Sequence, residues 1–175
     1  MAELEDYRKA VEEYAQNRTD HVFQNQGDEH ALIVLSTMFK NANSYIRMAA
    51  GSLSNKEVVG AKEYTDNLLG FVNKPNTKLD IIVTKYNGED LPLFNLLKCT
   101  CAYKDGRVRI KNAEGKSFHD KEHNIVHFCA ADSCMYRYEV DTERRSATCN
   151  MGGKEFACVL DQAFDNVFPT LTMAI

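Results

Sequence analysis

The chain has 175 residues, 44% hydrophobic and 26% charged, and no Ser, Gly or Pro-rich linker divides it, so it reads as a single domain. No apolar run approaches the roughly 20 residues that cross a bilayer, which argues against membrane insertion. The net charge of −4 argues against a dedicated electrostatic binder of nucleic acid.

Residues 3–16 predict a first helix, because Leu4, Tyr7, Val11 and Tyr14 recur at spacings of three or four. This opening stretch is acidic and polar, reads as neither signal nor transit peptide, and points to a cytoplasmic protein. Residues 1–27 read as a helical extension of a lobe spanning 28–175. DEHALIVLSTMFKNA predicts a second, buried helix with Leu32, Leu35, Phe39 and Ala42 on one face and Asp28 as its cap. SYIRMAAG predicts a strand. Ser54 followed by Glu57 has the form of a capping box that opens a third helix running through Leu68, Leu69, Phe71 and Val72. A strand from Leu79 to Thr84 follows, then the turn Asn87-Gly88 and a short helix over DLPLFNLLK, with Pro92 in its first turn.

RVRIKNA predicts a strand ending in the turn Glu114-Gly115-Lys116, and NIVHFCAAD, CMYRYEVD and SATCNM predict three more. The chain closes on a helix from Lys154 to Phe168, with a stripe of Phe156, Val159, Leu160, Ala163, Phe164 and Val167. Helices and strands alternate over the first hundred residues, and parallel strands joined by helices bury both faces of a sheet. The predicted class is α/β, a mixed, mainly parallel sheet sandwiched by helices.

Six cysteines, at 99, 101, 129, 134, 149 and 158, occur in a chain that has neither the size nor the look of a secreted disulfide scaffold, so they read as small buried hydrophobes. Cys99, Cys101, Cys129 and Cys134 lack the tight-turn context of structural zinc. His119, His123 and His127 recur every four residues, which on a helix would align three imidazoles. HNIVHFCAA is β-branched and aromatic, so a strand is expected, with His123 and His127 on one face and no metal site. Gly51-Ser52-Leu53-Ser54-Asn55 matches no nucleotide fingerprint and reads as a cap, and no cofactor is expected. Basic side chains gather over 98–121, where Lys104, Arg107, Arg109, Lys111 and Lys116 are candidates for a nucleic-acid surface, with only Tyr103 and Phe118 as interleaved aromatics.

Two segments, HALIVLSTMFKNANSYIRMAAGSLS and FACVLDQAFDNVFP, are similar to the opening and closing parts of the phospholipase D-like superfamily, and in that order residues 28–169 resemble a single lobe of it. The resemblance implies a signature of histidine, lysine two residues on, aspartate five beyond, then a Gly-Ser turn with an asparagine. The histidine attacks phosphorus, and the lysine and asparagine neutralise phosphate oxygens. Here the signature is broken. With His127 as the histidine, Cys129 replaces the lysine and Cys134 the aspartate. With Asp132 as the aspartate, His127 falls at the lysine and Ile125 at the histidine; His119 with Lys121 keeps the first spacing, but Val126 stands at the aspartate.

The candidates for catalysis are therefore His127, His119, Lys121 and Asp132, and those for a pocket are His127, Cys129, Asp132 and Asn150. Without its cationic partner a phosphoryl-transfer site loses its dominant electrostatic contribution, so the expected function is a non-catalytic binding module, a pseudoenzyme acting through a protein partner or a degenerate phosphate pocket. The resemblance also implies a homodimer, since single lobes of this superfamily pair across the site. Two alternatives stay open. One is a residual phosphodiesterase or nuclease that uses His127 or His119 with Lys121 or Arg137. The other is a nucleic-acid or nucleotide binder working through 98–121.

Overall fold

The computed structural model describes residues 2–175. Helix α1 (Ala2–Asn17) leads to a short strand β1 (Phe23–Asn25), then α2 (Gly27–Asn41), β2 (Tyr45–Ala50), α3 (Lys62–Val72), β3 (Lys78–Val83), α4 (Pro92–Lys98), α5 (Cys101–Lys104) and β4 (Val108–Asn112). After β5 (Phe118–His119) come β6 (Ile125–Ala131), β7 (Met135–Asp141) and β8 (Ser146–Asn150). Helix α6 (Lys154–Val167), a single helical turn over Phe168–Thr170 and β9 (Thr172–Met173) complete the chain.

The strands form one mixed sheet in the order β1-β8-β7-β6-β2-β3-β4-β9, with β5 pairing β6. Strands β2, β3 and β4 run parallel, as helical crossovers require, while β6, β7, β8 and β1 add an antiparallel half. The α/β sandwich expected from the alternation of elements is what the chain builds. Helices α1 to α5 cover one face, and α6 alone covers the other. Strand β3 shows why both faces need cover: Leu79, Ile81 and Val83 join the larger core, while Ile82 joins Phe128, Ala130 and Phe164 under α6. Each large side chain fully buried this way contributes about 1.5–3 kcal/mol.

Helix α1 packs against the rest of the fold. Val11 and Ala15 are buried in the main core, Arg8 donates to both Glu63 oxygens of α3 at 2.5 and 3.0 Å, and the Tyr7 ring stacks on His30 at 3.9 Å.

Four local expectations are corrected. Asp28 does not cap α2; Gln26 holds that position with no side-chain cap bond, and Asp28 turns instead toward Arg145 and Asn55. The Ser54–Glu57 capping box does not form. Ser54 pairs with Ser52 at 2.6 Å, the Asn55 side chain accepts the Val58 N–H at 2.7 Å, and α3 opens only at Lys62, past the poor helix formers Val58, Val59 and Gly60. The α6 stripe is shifted: Ala157, Leu160, Asp161 and Phe164 are buried, whereas Phe156 and Val159 are 37% and 54% exposed. His123 lies in the turn before β6, exposed at φ +65°, and shares no strand face with His127.

Candidate functional site around His127

The site begins with the alternation of side chains on β6 and β7. His127 and Cys129 point to the face covered by α1 to α5, and register sets Glu139 opposite His127 and Arg137 opposite Cys129. The His127 ring places Nδ1 3.3 Å from Glu139 Oε2, and Arg137 Nη2 donates to Glu139 Oε1 at 2.9 Å. Arg137 Nε donates to Asn25 Oδ1 of β1 at 2.6 Å. Arg145 completes the cluster, with Nη1 3.7 Å from Glu139 Oε1 and Nε 3.2 Å from Asp28 Oδ1. Burial pushes the Glu139 carboxyl up, but the His127 hydrogen bond and the Arg137 and Arg145 charges outweigh it and bring it down to about 2.

A cavity of about 90 Å³ opens beside this cluster, between the end of β2 and the loop that follows it. Its lining includes Met48, Gly51, Ser52, Leu53, Tyr64 and His127. His127 Nε2 is buried and has no hydrogen-bond partner among the described residues. Gly51 makes this space: a Cβ there would stand 3.3 Å from the ring's Cε1 and 3.5 Å from Nε2. The arrangement therefore offers one buried polar atom without a partner, on a ring backed by a carboxylate, to whatever enters the cavity. The charges behind it balance, with the guanidinium groups of Arg137 and Arg145 against the carboxylates of Glu139 and Asp28.

Of the pocket residues read from sequence, the fold brings together His127 and Cys129. Cys129 lines the same cavity, and burial pushes its thiol up to about 12, so it is protonated at neutral pH. Asp132 lies at the far end of β6, where its carboxylate accepts the N–H groups of Asn43, Ser44 and Tyr45 at 2.8, 2.9 and 3.2 Å and faces Arg18 at 3.3 Å. That is a structural anchor for the α2–β2 turn. Asn150 ends β8, accepts the Gly152 N–H at 2.9 Å, donates to Asp20 at 2.8 Å and lines a separate, wider cavity of about 570 Å³. His119 and Lys121 are exposed, on β5 and in the turn after it. Among the described residues no group of three His, Cys, Asp or Glu stands together to hold a metal ion.

Much of the basic segment is spent within the fold. Arg107 donates to the Val72 and Thr77 carbonyls, both at 3.1 Å, Arg109 forks onto Asp80 at 2.7 and 2.6 Å, and Lys111 donates to the Phe168 carbonyl at 2.8 Å. Lys104 and Lys116 are exposed. What sequence reasoning missed is Glu139 and Arg145. The missed signal was in CMYRYEVD, where Arg137 and Glu139 alternate with apolar and aromatic positions, so whichever face is buried must pair charges.

No protein-family model and no curated protein matches the sequence. Solved structures match through the fold. TrmBL2, an archaeal chromatin protein with a novel mode of DNA binding, is 16% identical with a TM-score of 0.62 over 97% of this chain. The chain spans 63% of TrmBL2. Nuc from Salmonella typhimurium, a phospholipase D family member, is 13% identical with a TM-score of 0.60, over 89% of this chain and 98% of its own. NucT from Helicobacter pylori is 10% identical with a TM-score of 0.58, over 87% and 99%. The chain has the phospholipase D-like fold. No helix among the described residues is long and apolar enough to cross a membrane.

Proposed function

We propose that this phospholipase D-like lobe is a non-catalytic binding module, in which the place of phosphoryl chemistry has become a neutral pocket. The observation that carries the reading is Glu139. A carboxylate buried between His127, Arg137 and Arg145 cancels the positive charge that a transferring phosphoryl group requires, and Asp28 takes the other side of Arg145. Counted back from Asp132, the histidine of the signature is Ile125 and its lysine is His127, so neither part supports attack on phosphorus.

The residual phosphodiesterase is the second reading, favoured by one feature: a histidine whose Nδ1 rests on a carboxylate and whose Nε2 is free has the form of an activated nucleophile or base. The nucleic-acid reading has less support, since Arg107, Arg109 and Lys111 are engaged internally, and TrmBL2 lends it only a shared fold.

Cleavage of a generic phosphodiester and of single- and double-stranded nucleic acid in EDTA, by the wild type and by His127→Ala, separates these readings. No turnover by either is the expected result. Turnover abolished in His127→Ala would overturn the binding-module reading in favour of the second. Size-exclusion chromatography of the same samples tests the homodimer we propose alongside it, which is supported by Ile125 and Val140 standing exposed at the His127 end of the sheet.

A further inference from the structure

We propose that the cavity beside His127 binds a small uncharged amphiphile, a short apolar chain ending in a hydroxyl or primary amide that donates a hydrogen bond to Nε2. This rests on the reading of the lobe as a non-catalytic binding module and names its ligand class. Glu139 fixes the polarity of the ring. A carboxylate accepts the Nδ1–H, and in the neutral tautomer this leaves Nε2 as an acceptor pointed at the cavity.

The rest of the lining fits the other half of such a ligand. Met48, Leu53, Val58 and Tyr64 form an apolar wall, and the Tyr64 hydroxyl is directed onto Met48 Sδ at 3.6 Å, so the tyrosine is not a free polar head. Besides the charge cluster, the polar side chains that line the cavity already have partners: Ser52 pairs with Ser54 at 2.6 Å, and Asn55 accepts the Val58 N–H at 2.7 Å and donates to Asp28 at 3.2 Å.

Charge and size narrow the class further. Arg137 and Arg145 face Glu139 and Asp28, so neither an anionic nor a cationic head meets an uncompensated partner, and an anion would lie near the Glu139 carboxylate. The volume of about 90 Å³ is below the roughly 150 Å³ of an apolar cavity that admits benzene, which limits the buried part to about four or five non-hydrogen atoms. A nucleotide exceeds the size limit, and a phosphate group, though small enough, meets no uncompensated cation.

The test is NMR titration of the full chain, followed at the His127 imidazole, with butyramide and n-butanol as neutral probes and butyrate, butylamine and inorganic phosphate as charged ones. Saturable shifts with the neutral probes, at least tenfold weaker in Gly51→Ala, are expected. Gly51→Ala narrows the space against the His127 ring without touching Glu139, Arg137 or Arg145; if circular dichroism shows that it misfolds, Leu53→Phe closes the same cavity from the rim. Tighter binding of butyrate, butylamine or phosphate than of the neutral probes overturns the ligand class. No saturable shift with any probe, or equal shifts in the closed variants, overturns the site. Either failure leaves the binding-module reading intact, which falls only to phosphodiester turnover.

Discussion

Arg137 and Glu139 stand two residues apart on β7, side chains 5% and 2% exposed, joined by a 2.9 Å hydrogen bond. Removing one member of such a pair leaves the other charge buried and uncompensated, which costs about 3–5 kcal/mol. Glu139→Gln is therefore expected to lower the urea midpoint sharply. Replacing both members together with Met and Leu is expected to cost less than the single change, because the apolar pair leaves no orphan charge. A double variant as unstable as Glu139→Gln would show that His127 and Arg145, rather than Arg137, depend on this carboxylate.

The same carboxylate sets an acid limit. In the folded chain Glu139 titrates near 2 against an ordinary value of 4.5, because His127 and Arg137 outweigh the burial that opposes them. A carboxyl depressed on folding contributes stability that is fully present above its unfolded value and is lost as pH falls through its folded one. The stability gap between wild type and Glu139→Gln is thus expected to shrink from about pH 4.5 down toward about 2. Urea midpoints taken across that window check it, and a gap independent of pH would deny Glu139 its depressed titration.

Asp132 has a different task from the one its place in the sequence suggests. Its carboxylate gathers three backbone N–H groups of the α2–β2 turn, and it does so at φ +52°, a conformation that Asp and Asn tolerate better than most residues. Asp132→Ala is expected to cost about 1–3 kcal/mol in thermal or chemical unfolding, and Asp132→Asn less, because an amide oxygen still accepts. An unchanged midpoint in Asp132→Ala would mean that the turn is held by its own backbone.

The elements that sequence made legible are those whose period extends over several residues. The short apolar, β-branched runs in LDIIV and NIVHFCAAD gave strands, and the spacing of Leu32, Leu35 and Phe39 gave a helix. Three-residue β1 and two-residue β5 and β9 are too short to show a period, and they form because neighbouring strands offer them hydrogen bonds. The site was legible only in part, for a related reason. His127 meets Glu139 through the β6–β7 register, which the Asp132-Ser133 turn, with both residues at positive φ, sets from the far end of the hairpin. Grouping His127 with Asp132 and Asn150 followed a motif along the chain, whereas the cluster is assembled across strands.

Helix α6 is pinned by a polar contact inside its apolar face. Asp161, 7% exposed, lies 2.7 Å from Arg47 Nη1, accepts from Ser133 Oγ at 3.1 Å and also receives the Tyr45 hydroxyl. Asp161→Leu keeps the bulk but leaves the Tyr45 and Ser133 hydroxyls only each other, at 2.6 Å, while Arg47 retains Asp165 at 2.8 Å. The expected loss is about 1–3 kcal/mol, at the low end for this reason. Arg47→Met combined with Asp161→Leu measures how much of it belongs to the ion pair, and additive losses would mean that the pair contributes nothing of its own.

The cysteines report on the cavity. Cys99, Cys101 and Cys158 are exposed, Cys134 is half-buried beside Arg18, and Cys129 and Cys149 are buried, with thiols that burial pushes up to about 12. The reading of all six as small hydrophobes therefore holds for Cys129 and Cys149 and fails for the three exposed ones. An aromatic disulfide reagent at neutral pH is expected to label Cys99, Cys101 and Cys158 quickly and Cys134 more slowly, with Cys129 and Cys149 reacting only on unfolding. Peptide mapping of the labelled sites distinguishes them. Because Cys129 lines the His127 cavity and Cys149 does not, selective labelling of Cys129 in the folded chain would mean that the cavity opens well beyond its static 90 Å³. Protection of that thiol by a neutral probe would then place the ligand against it.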